Sequence, residues 1–213
     1  MKLYCANKRY SSWSLRAWLA LKQFGIPFSE EIIFLRQPKT HAQIDRIVQG
    51  ARLPILEDGS LRIWESMAIF EYLAEKFPAK KMWPANRADR ALARSYSNEM
   101  HAGFTGLRTT CPMNCFAKPM KAVPIEARQD VERILDIWRS CLSKRRKGGF
   151  LFGAFSLADA MYTPVAVRLS TYDFPIDPAS QLYIQRLLGL PSVRQWFSEA
   201  AAETTRIEAY EVR

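Results

Sequence analysis

Apolar and polar positions change rhythm partway along the chain. Over residues 1–77 short apolar runs alternate with helical spacings, and over 87–205 the spacing is helical throughout. Leu3-Tyr4-Cys5-Ala6 predicts a first strand. Ser12 and Ser14 offer N-cap hydroxyls to a helix that runs from Leu15 to Phe24 and stops at Gly25, with Pro27 beyond. Its apolar residues occupy two faces, Trp13, Ala17, Ala20, Leu21 and Phe24 on one and Leu15, Trp18 and Leu19 on the other. A helix apolar round most of its circumference is buried on both sides, here between a sheet and a second domain. Phe28 to Leu35 predicts a second strand, and the polar stretch Thr40 to Gln49 a helix ending at Gly50. Leu53-Pro54-Ile55-Leu56 and Leu61-Arg62-Ile63-Trp64 flank Glu57-Asp58-Gly59-Ser60. Asp-Gly between two apolar runs predicts a type I′ hairpin turn, whose two central residues need positive φ. Met67, Ile69, Phe70, Leu73, Ala74 and Phe77 then fall at helical spacing until Pro78. A crossover between parallel strands followed by an antiparallel hairpin makes a mixed four-stranded sheet.

Pro78 to Asn86 carries two prolines and no period, so it reads as a linker. The chain divides into an α/β domain over 1–78, a linker over 79–86 and an all-α domain over 87–213. Helices are expected at 87–109, 125–143, 156–171, 178–189 and 191–204. Ser156-Leu157-Ala158-Asp159 is a capping-box variant that starts the core helix of the second domain.

Composition narrows the class. Apolar residues make up 48% of 213 and no run approaches the ~20 continuous apolar residues of a membrane span, so no membrane is expected. Met1-Lys2-Leu3-Tyr4-Cys5-Ala6-Asn7-Lys8-Arg9 is charged too early for a secretory leader, and a cytoplasmic protein is expected. The four cysteines form no Cys-x-x-Cys pair and lie far from His41 and His101, so no metal is expected. The net charge of +10 is spread over both halves. Its one tight run, Lys144-Arg145-Arg146-Lys147, is accounted for by a solvated loop between helices, and no nucleic acid is expected.

Three places carry candidate chemistry. With the Leu53-Pro54 bond cis, the Leu53 amide and carbonyl turn outward and can pair with an extended peptide; a trans proline at a strand start is the plainer alternative. Glu65-Ser66 stands where strand gives way to helix. Free helix amides and a Ser hydroxyl there suit a carboxylate, with Glu65 to meet an ammonium, unless the pair is a plain N-cap. In Tyr10-Ser11-Ser12-Trp13-Ser14 the hydroxyls at a helix N-terminus can point at a thiol and favour its thiolate, or serve as helix caps.

These elements, in this order, resemble the cytosolic glutathione transferases over essentially the whole chain. Tyr10-Ser11-Ser12-Trp13-Ser14-Leu15-Arg16 looks like the Ser-Ser motif of the zeta class and related bacterial enzymes. Leu53-Pro54 matches the family's Val-Pro, and Glu65-Ser66 its pair for the γ-glutamyl group. Gly153-Ala154-Phe155-Ser156-Leu157-Ala158-Asp159 matches the capping box of its helical domain. The resemblance implies a thioredoxin-like first domain and glutathione as co-substrate. Ser11, with Ser12 next in line, would be the hydroxyl on the sulfur. Trp13, Arg52, Leu53, Pro54, Glu65 and Ser66 would bind glutathione. It also implies a homodimer and a detoxifying transferase that directs the thiolate onto a small electrophile. Met100, His101, Phe104 and Arg108, with Met113 beyond, are candidates for the second-substrate pocket between domains. Val48-Gln49-Gly50-Ala51-Arg52 departs from the usual Asn/Ser-Pro-x-Gly-Lys, and Trp13 replaces the zeta-class Cys, which weighs against maleylacetoacetate isomerase in particular. The rival readings are a glutathione-dependent isomerase or peroxidase, and a non-catalytic binding protein on the same fold.

Overall fold

The computed structural model describes residues 1–117, 125–144 and 146–211. Arg145 of the basic run and the last two residues of the helical segment lie outside them. Strands β1 (Lys2–Cys5), β2 (Ser29–Ile32), β3 (Ile55–Asp58) and β4 (Leu61–Trp64) form one sheet in the order β2-β1-β3-β4. β1 runs parallel to β2, while β1–β3 and β3–β4 are antiparallel, so the expected mixed sheet is present. Helices α1 (Ser12–Gln23), α2 (Thr40–Asp45) and α3 (Ser66–Lys76) accompany it. A short 3₁₀ turn at Pro78–Lys80 leads into α4 (Arg87–Ala102), α5 (Thr105–Thr110), α6 (Ile125–Leu142), α7 (Leu157–Thr171), α8 (Pro178–Leu188) and α9 (Pro191–Ala202).

α1 is the central element. Its residues from Ser14 to Leu21 are all buried, because α1 packs on α3 on one side and on α7 on the other. α7 is buried along nearly its whole length and starts at the expected capping box. The Asp159 carboxylate accepts from the Ser156 N–H at 2.8 Å, the Ser156 hydroxyl at 2.9 Å, the Leu151 N–H at 3.1 Å and the Tyr183 hydroxyl at 2.8 Å. Burial raises its pKa, and four donors hold it in place. The segment between α3 and α4 is packed rather than loose: Met82 and Trp83 are buried, and the Leu157 N–H donates to the Met82 carbonyl at 3.0 Å. On the far side, the buried Lys8 ammonium lies between the Trp18 and Trp196 rings, at 5.0 and 5.2 Å from their centroids. It pairs with Glu30 at 2.7 Å and with Glu199, which ties the β1–α1 loop to α9.

The structure corrects four boundaries. β2 covers only Ser29–Ile32 of the expected Phe28–Leu35, because the Leu35 N–H turns to the Asn7 side chain at 2.8 Å and leaves the sheet. α2 stops at Asp45 rather than Gln49. The hairpin pairs Asp58 with Leu61, so Gly59-Ser60 are central; only Gly59 has positive φ, as type II′ requires. The helix expected over 87–109 is two helices. The Gly103 N–H closes α4 on the Glu99 carbonyl, Phe104 adopts a left-handed φ of 55°, and Asp130 accepts the Leu107 N–H at 2.8 Å. Gly106 is the reason α5 fits there: a Cβ at that position would lie 2.1 Å from the Glu126 carbonyl oxygen.

Asp159→Ala removes a helix cap and strands buried donors. It is expected to destabilise the protein by about 2–4 kcal/mol in urea unfolding. An unchanged midpoint would show that the α7 start is held by packing alone.

Candidate functional site

Two cavities open around the start of α1, and Trp13 lines both. The smaller, of about 80 Å³, is bounded by Trp13, Arg52, Leu53, Pro54, Glu65 and Ser66. The Leu53–Pro54 bond is cis. The Leu53 N–H and C=O make no hydrogen bond among the described residues, so both are open to an extended ligand. Glu65 precedes α3 at φ 67°, and its side chain does not cap the helix. A non-glycine residue at positive φ is a strained position of the kind that gathers at binding sites. The first amides of α3 and the buried Ser66 hydroxyl therefore face this cavity as an anion site.

The larger cavity, of about 290 Å³, also has Trp13 in its wall. Tyr10, Ser11, Ser12, Arg108, Met113 and Arg168 are among the residues that bound it, with Leu35, Pro112 and Tyr210. Ser11 is the N-cap of α1. Its Oγ accepts the Ser14 N–H at 3.1 Å and lies 2.9 Å from the Ser14 Oγ, which in turn accepts the Ala6 N–H at 2.9 Å. The Ser11 hydroxyl donates to Ser14 Oγ, and rotation of the two hydroxyls lets Ser14 supply that proton instead. When Ser14 does, the Ser11 proton is free for a ligand. Ser12 Oγ accepts from Arg168 Nη2 at 3.4 Å. A guanidinium only donates, so the Ser12 proton is likewise free.

Three arginines surround this point. Arg16, fully buried in α1, stacks on Trp13 with its Cζ 4.3 Å from the ring centroid and donates from Nε to the Met161 carbonyl at 3.1 Å; both Nη atoms are buried without a partner. Arg168 donates from Nε to the Cys111 carbonyl at 2.9 Å and from Nη1 to the Pro164 carbonyl at 3.3 Å. Arg108 also approaches Trp13, its Cζ 5.3 Å from the ring centroid. Burial lowers the pKa of Arg168 to about 10, so it keeps its charge at neutral pH. Burial, and then the neighbouring Arg168 and Arg108, lower that of Arg16.

The expected residues divide between the two cavities in a way the sequence did not indicate. Ser11, Ser12, Trp13, Arg52, Leu53, Pro54, Glu65 and Ser66 all line one or the other. Of the four residues expected at the second pocket, only Arg108 lines the larger cavity, where it is joined by Met113. Met100 and Phe104 are packed into the core and line neither cavity. His101 stands at the small cavity instead. Its Nε2 is 3.3 Å from Glu65, its Nδ1 is 3.4 Å from Ser66 Oγ, and its ring meets Trp13 edge-on at 5.2 Å. Arg168, Leu35 and Tyr210 went unnoticed in sequence, and Arg16 entered only as the last residue of the serine motif, with no role. The signal for the two arginines is a charge set among apolar neighbours, Leu15-Arg16-Ala17-Trp18 in α1 and Val165-Ala166-Val167-Arg168-Leu169 in α7. Tyr210 had none, since it arrives from the far end of the chain, where the Tyr10 hydroxyl donates to Glu211 and the Asn114 amide to the Tyr210 carbonyl at 3.0 Å. Among the described residues no cluster of His, Cys, Asp and Glu is arranged to hold a metal, and no helix is long and apolar enough to cross a membrane.

The family description "Glutathione S-transferase, N-terminal domain" matches residues 10–76, and "Glutathione S-transferase, C-terminal domain" matches 86–199. Among curated proteins, a probable maleylacetoacetate isomerase of Vibrio cholerae is 23% identical over 202 residues, covering 91% of this chain and 92% of that one. Glutathione S-transferase 1 of Zea mays is 26% identical over 209 residues, covering 93% and 90%. Among solved structures, a glutathione transferase homolog from Burkholderia with bound glutathione superposes with a TM-score of 0.73 at 25% identity, covering 95% and 98%. A bacterial zeta-class maleyl pyruvate isomerase superposes with a TM-score of 0.72 at 20% identity, covering 97% and 100%, and shares the fold.

The His101 ring gives a pH test. Burial first, and then the Arg16 charge, lower its pKa below the ordinary 6.5. Between the folded midpoint and 6.5 the unfolded chain binds more protons, so this group makes stability fall as pH falls through that window. NMR titration of His101 is expected to give a midpoint below 6.5. A midpoint above it would mean that the Glu65 carboxylate outweighs burial and Arg16.

Proposed function

Because the chain belongs to the glutathione S-transferase family, we propose that it is a glutathione transferase that holds the glutathione thiolate against Ser11 and Ser12 and directs it onto an electrophilic carbon. The observation that carries this reading is the pair of cavities that share Trp13, one lined by Leu53, cis-Pro54, Glu65 and Ser66 and the other by the Ser11 and Ser12 hydroxyls. Leu53 pairs through its backbone with the cysteinyl residue, beside Pro54. Ser66 and the α3 amides take the γ-glutamyl carboxylate, and Glu65 takes the ammonium. Arg52, exposed at the rim, meets the glycyl carboxylate, and Trp13 floors the cysteinyl part. Residues 1–78 then form the glutathione-binding domain, 79–86 the linker and 87–213 the domain that completes the second-substrate cavity. The enzyme works as a homodimer in the cytoplasm, in a detoxifying role.

In the transferase reaction the sulfur lone pair forms a C–S bond while a leaving group departs with its electron pair, or while a conjugated double bond takes up the electrons and later a proton. Ser11, as N-cap of α1, donates to the sulfur at the positive end of that helix. Ser12 is the second donor.

One observation favours a second reading. Arg108 and Arg168 line the larger cavity, and a site with two guanidinium groups suits an electrophile that carries a carboxylate. On such an unsaturated acid the thiolate adds to the double bond, rotation follows about the resulting single bond, and expulsion of the thiolate returns glutathione unchanged. That is an isomerase reaction in the same site, in keeping with the names of two of the similar proteins.

Ser66→Ala is expected to weaken glutathione binding by about 1–3 kcal/mol in titration calorimetry, because it removes a donor to a charged group. Unchanged affinity would remove the γ-glutamyl assignment. Ser11→Ala should lower kcat more than it raises KM. An unchanged rate in Ser11→Ala together with a lost rate in Ser12→Ala would move the sulfur contact one residue along.

A further inference from the structure

Arg16 and Arg168 are buried cations without an acidic partner among the described residues. Arg16 is wholly inaccessible and Arg168 is 4% exposed. The hydrogen bonds they make all go to neutral groups: the carbonyls of Met161, Cys111 and Pro164 and the hydroxyl of Ser12. The charged and titratable groups set around them do not compensate. From α5 comes a third cation, Arg108, which disfavours both. Cys111 after α5, and Tyr162 and Tyr172 in and after α7, all have raised pKa values through burial and stay neutral. Glu211, on the chain's tail, is taken up by Arg9 at 3.4 Å, Asn114 at 3.4 Å and the Tyr10 hydroxyl. Burying an unpaired charge is among the most destabilising things a fold can do, and an apolar residue of the same shape is generally neutral or stabilising in its place. Two such charges at one spot mark a place that is completed by an anion.

Resting on the reading of this cavity as a glutathione site, we propose that Arg16 and Arg168 are the counter-charge of the bound thiolate, Arg168 acting through the Ser12 hydroxyl and Arg16 from behind Trp13. The glutathione S–H gives its proton to solvent, and the sulfur's negative charge settles among the Ser11 and Ser12 hydroxyls and the two guanidinium groups. Both arginines are positioning residues. Arg168 donates to Ser12 and so turns the Ser12 proton toward the sulfur. Arg16 stacks on Trp13, donates to the α7 backbone and acts by its field. In a water-poor pocket an opposite charge at short range moves an ionisation by roughly 1–3 pH units. The cost is borne by the ligand-free protein, which holds the two charges uncompensated.

The test compares wild type with Arg168→Met, Arg16→Met and Arg168→Lys in three measurements: ultraviolet titration of the thiolate of bound glutathione, binding of S-methylglutathione, and urea unfolding of the ligand-free protein. S-methylglutathione keeps every contact of the peptide and lacks the ionisable thiol. Each Met variant is expected to raise the thiolate midpoint by about one unit or more, to bind S-methylglutathione as wild type does, and to unfold at the same or higher urea. Arg168→Lys, which keeps the charge, should retain most of the wild-type midpoint. A merely structural role predicts the reverse, lost stability with an unmoved thiol. An unmoved midpoint in both Met variants, or loss of stability in both, would overturn the proposal. If wild type itself failed to bind S-methylglutathione, the glutathione reading of the site would fall instead, and with it the counter-charge.

Discussion

Two guanidinium groups sit in the interior where α1 crosses α7, and among the described residues neither is paired with a carboxylate. Their desolvation is tolerable only because the surrounding packing is extensive. α1 is buried on every side from Ser14 to Leu21, and α7 along almost its whole length. The same packing fixes the start of α1. Arg16 holds α7 through the Met161 carbonyl, Arg168 holds Ser12 from α7, and Trp13 is gripped between Arg16, Arg108 and His101. The serine loop is therefore positioned from both halves of the chain. The cavity beside it inherits a positive field that neither half would supply alone.

The small cavity follows from different physics. It is assembled from backbone groups and a helix end: the unpaired Leu53 N–H and C=O, and an α3 start that no side chain caps. His101 closes it from α4. A neutral ring that donates from Nε2 to Glu65 accepts at Nδ1 from Ser66, so the acid and the hydroxyl are held in one orientation by a single residue. The lowered pKa of His101 keeps the ring in that neutral form. The two cavities thus share Trp13 as a common wall.

The secondary structure was legible wherever one period ran uninterrupted. The sheet with its crossover and hairpin, the capping box at Ser156 and Asp159, and α6 to α9 all follow from spacing and caps. The departures have local causes that a hydrophobic pattern does not encode. Asn7 draws Leu35 off the sheet, Phe104 takes a left-handed turn, and Gly106 lets α5 approach the start of α6. At the site, the residues on short motifs were legible: Ser11-Ser12, Leu53-Pro54 and Glu65-Ser66. Met100 and Phe104 were misplaced because helical spacing cannot tell a core face from a cavity wall. Arg168 was missed because it lies far in sequence from the serine it touches, and only the packing of α7 on α1 brings them together.

A crystal structure of the protein with glutathione tests the central claim most directly. The account predicts the tripeptide lying across Trp13, its cysteinyl backbone paired with Leu53, its γ-glutamyl carboxylate on Ser66, and its sulfur within hydrogen-bond reach of the Ser11 and Ser12 hydroxyls on the side of Arg168. A tripeptide bound elsewhere, or seated in the small cavity with its sulfur turned away from both serines, would contradict it.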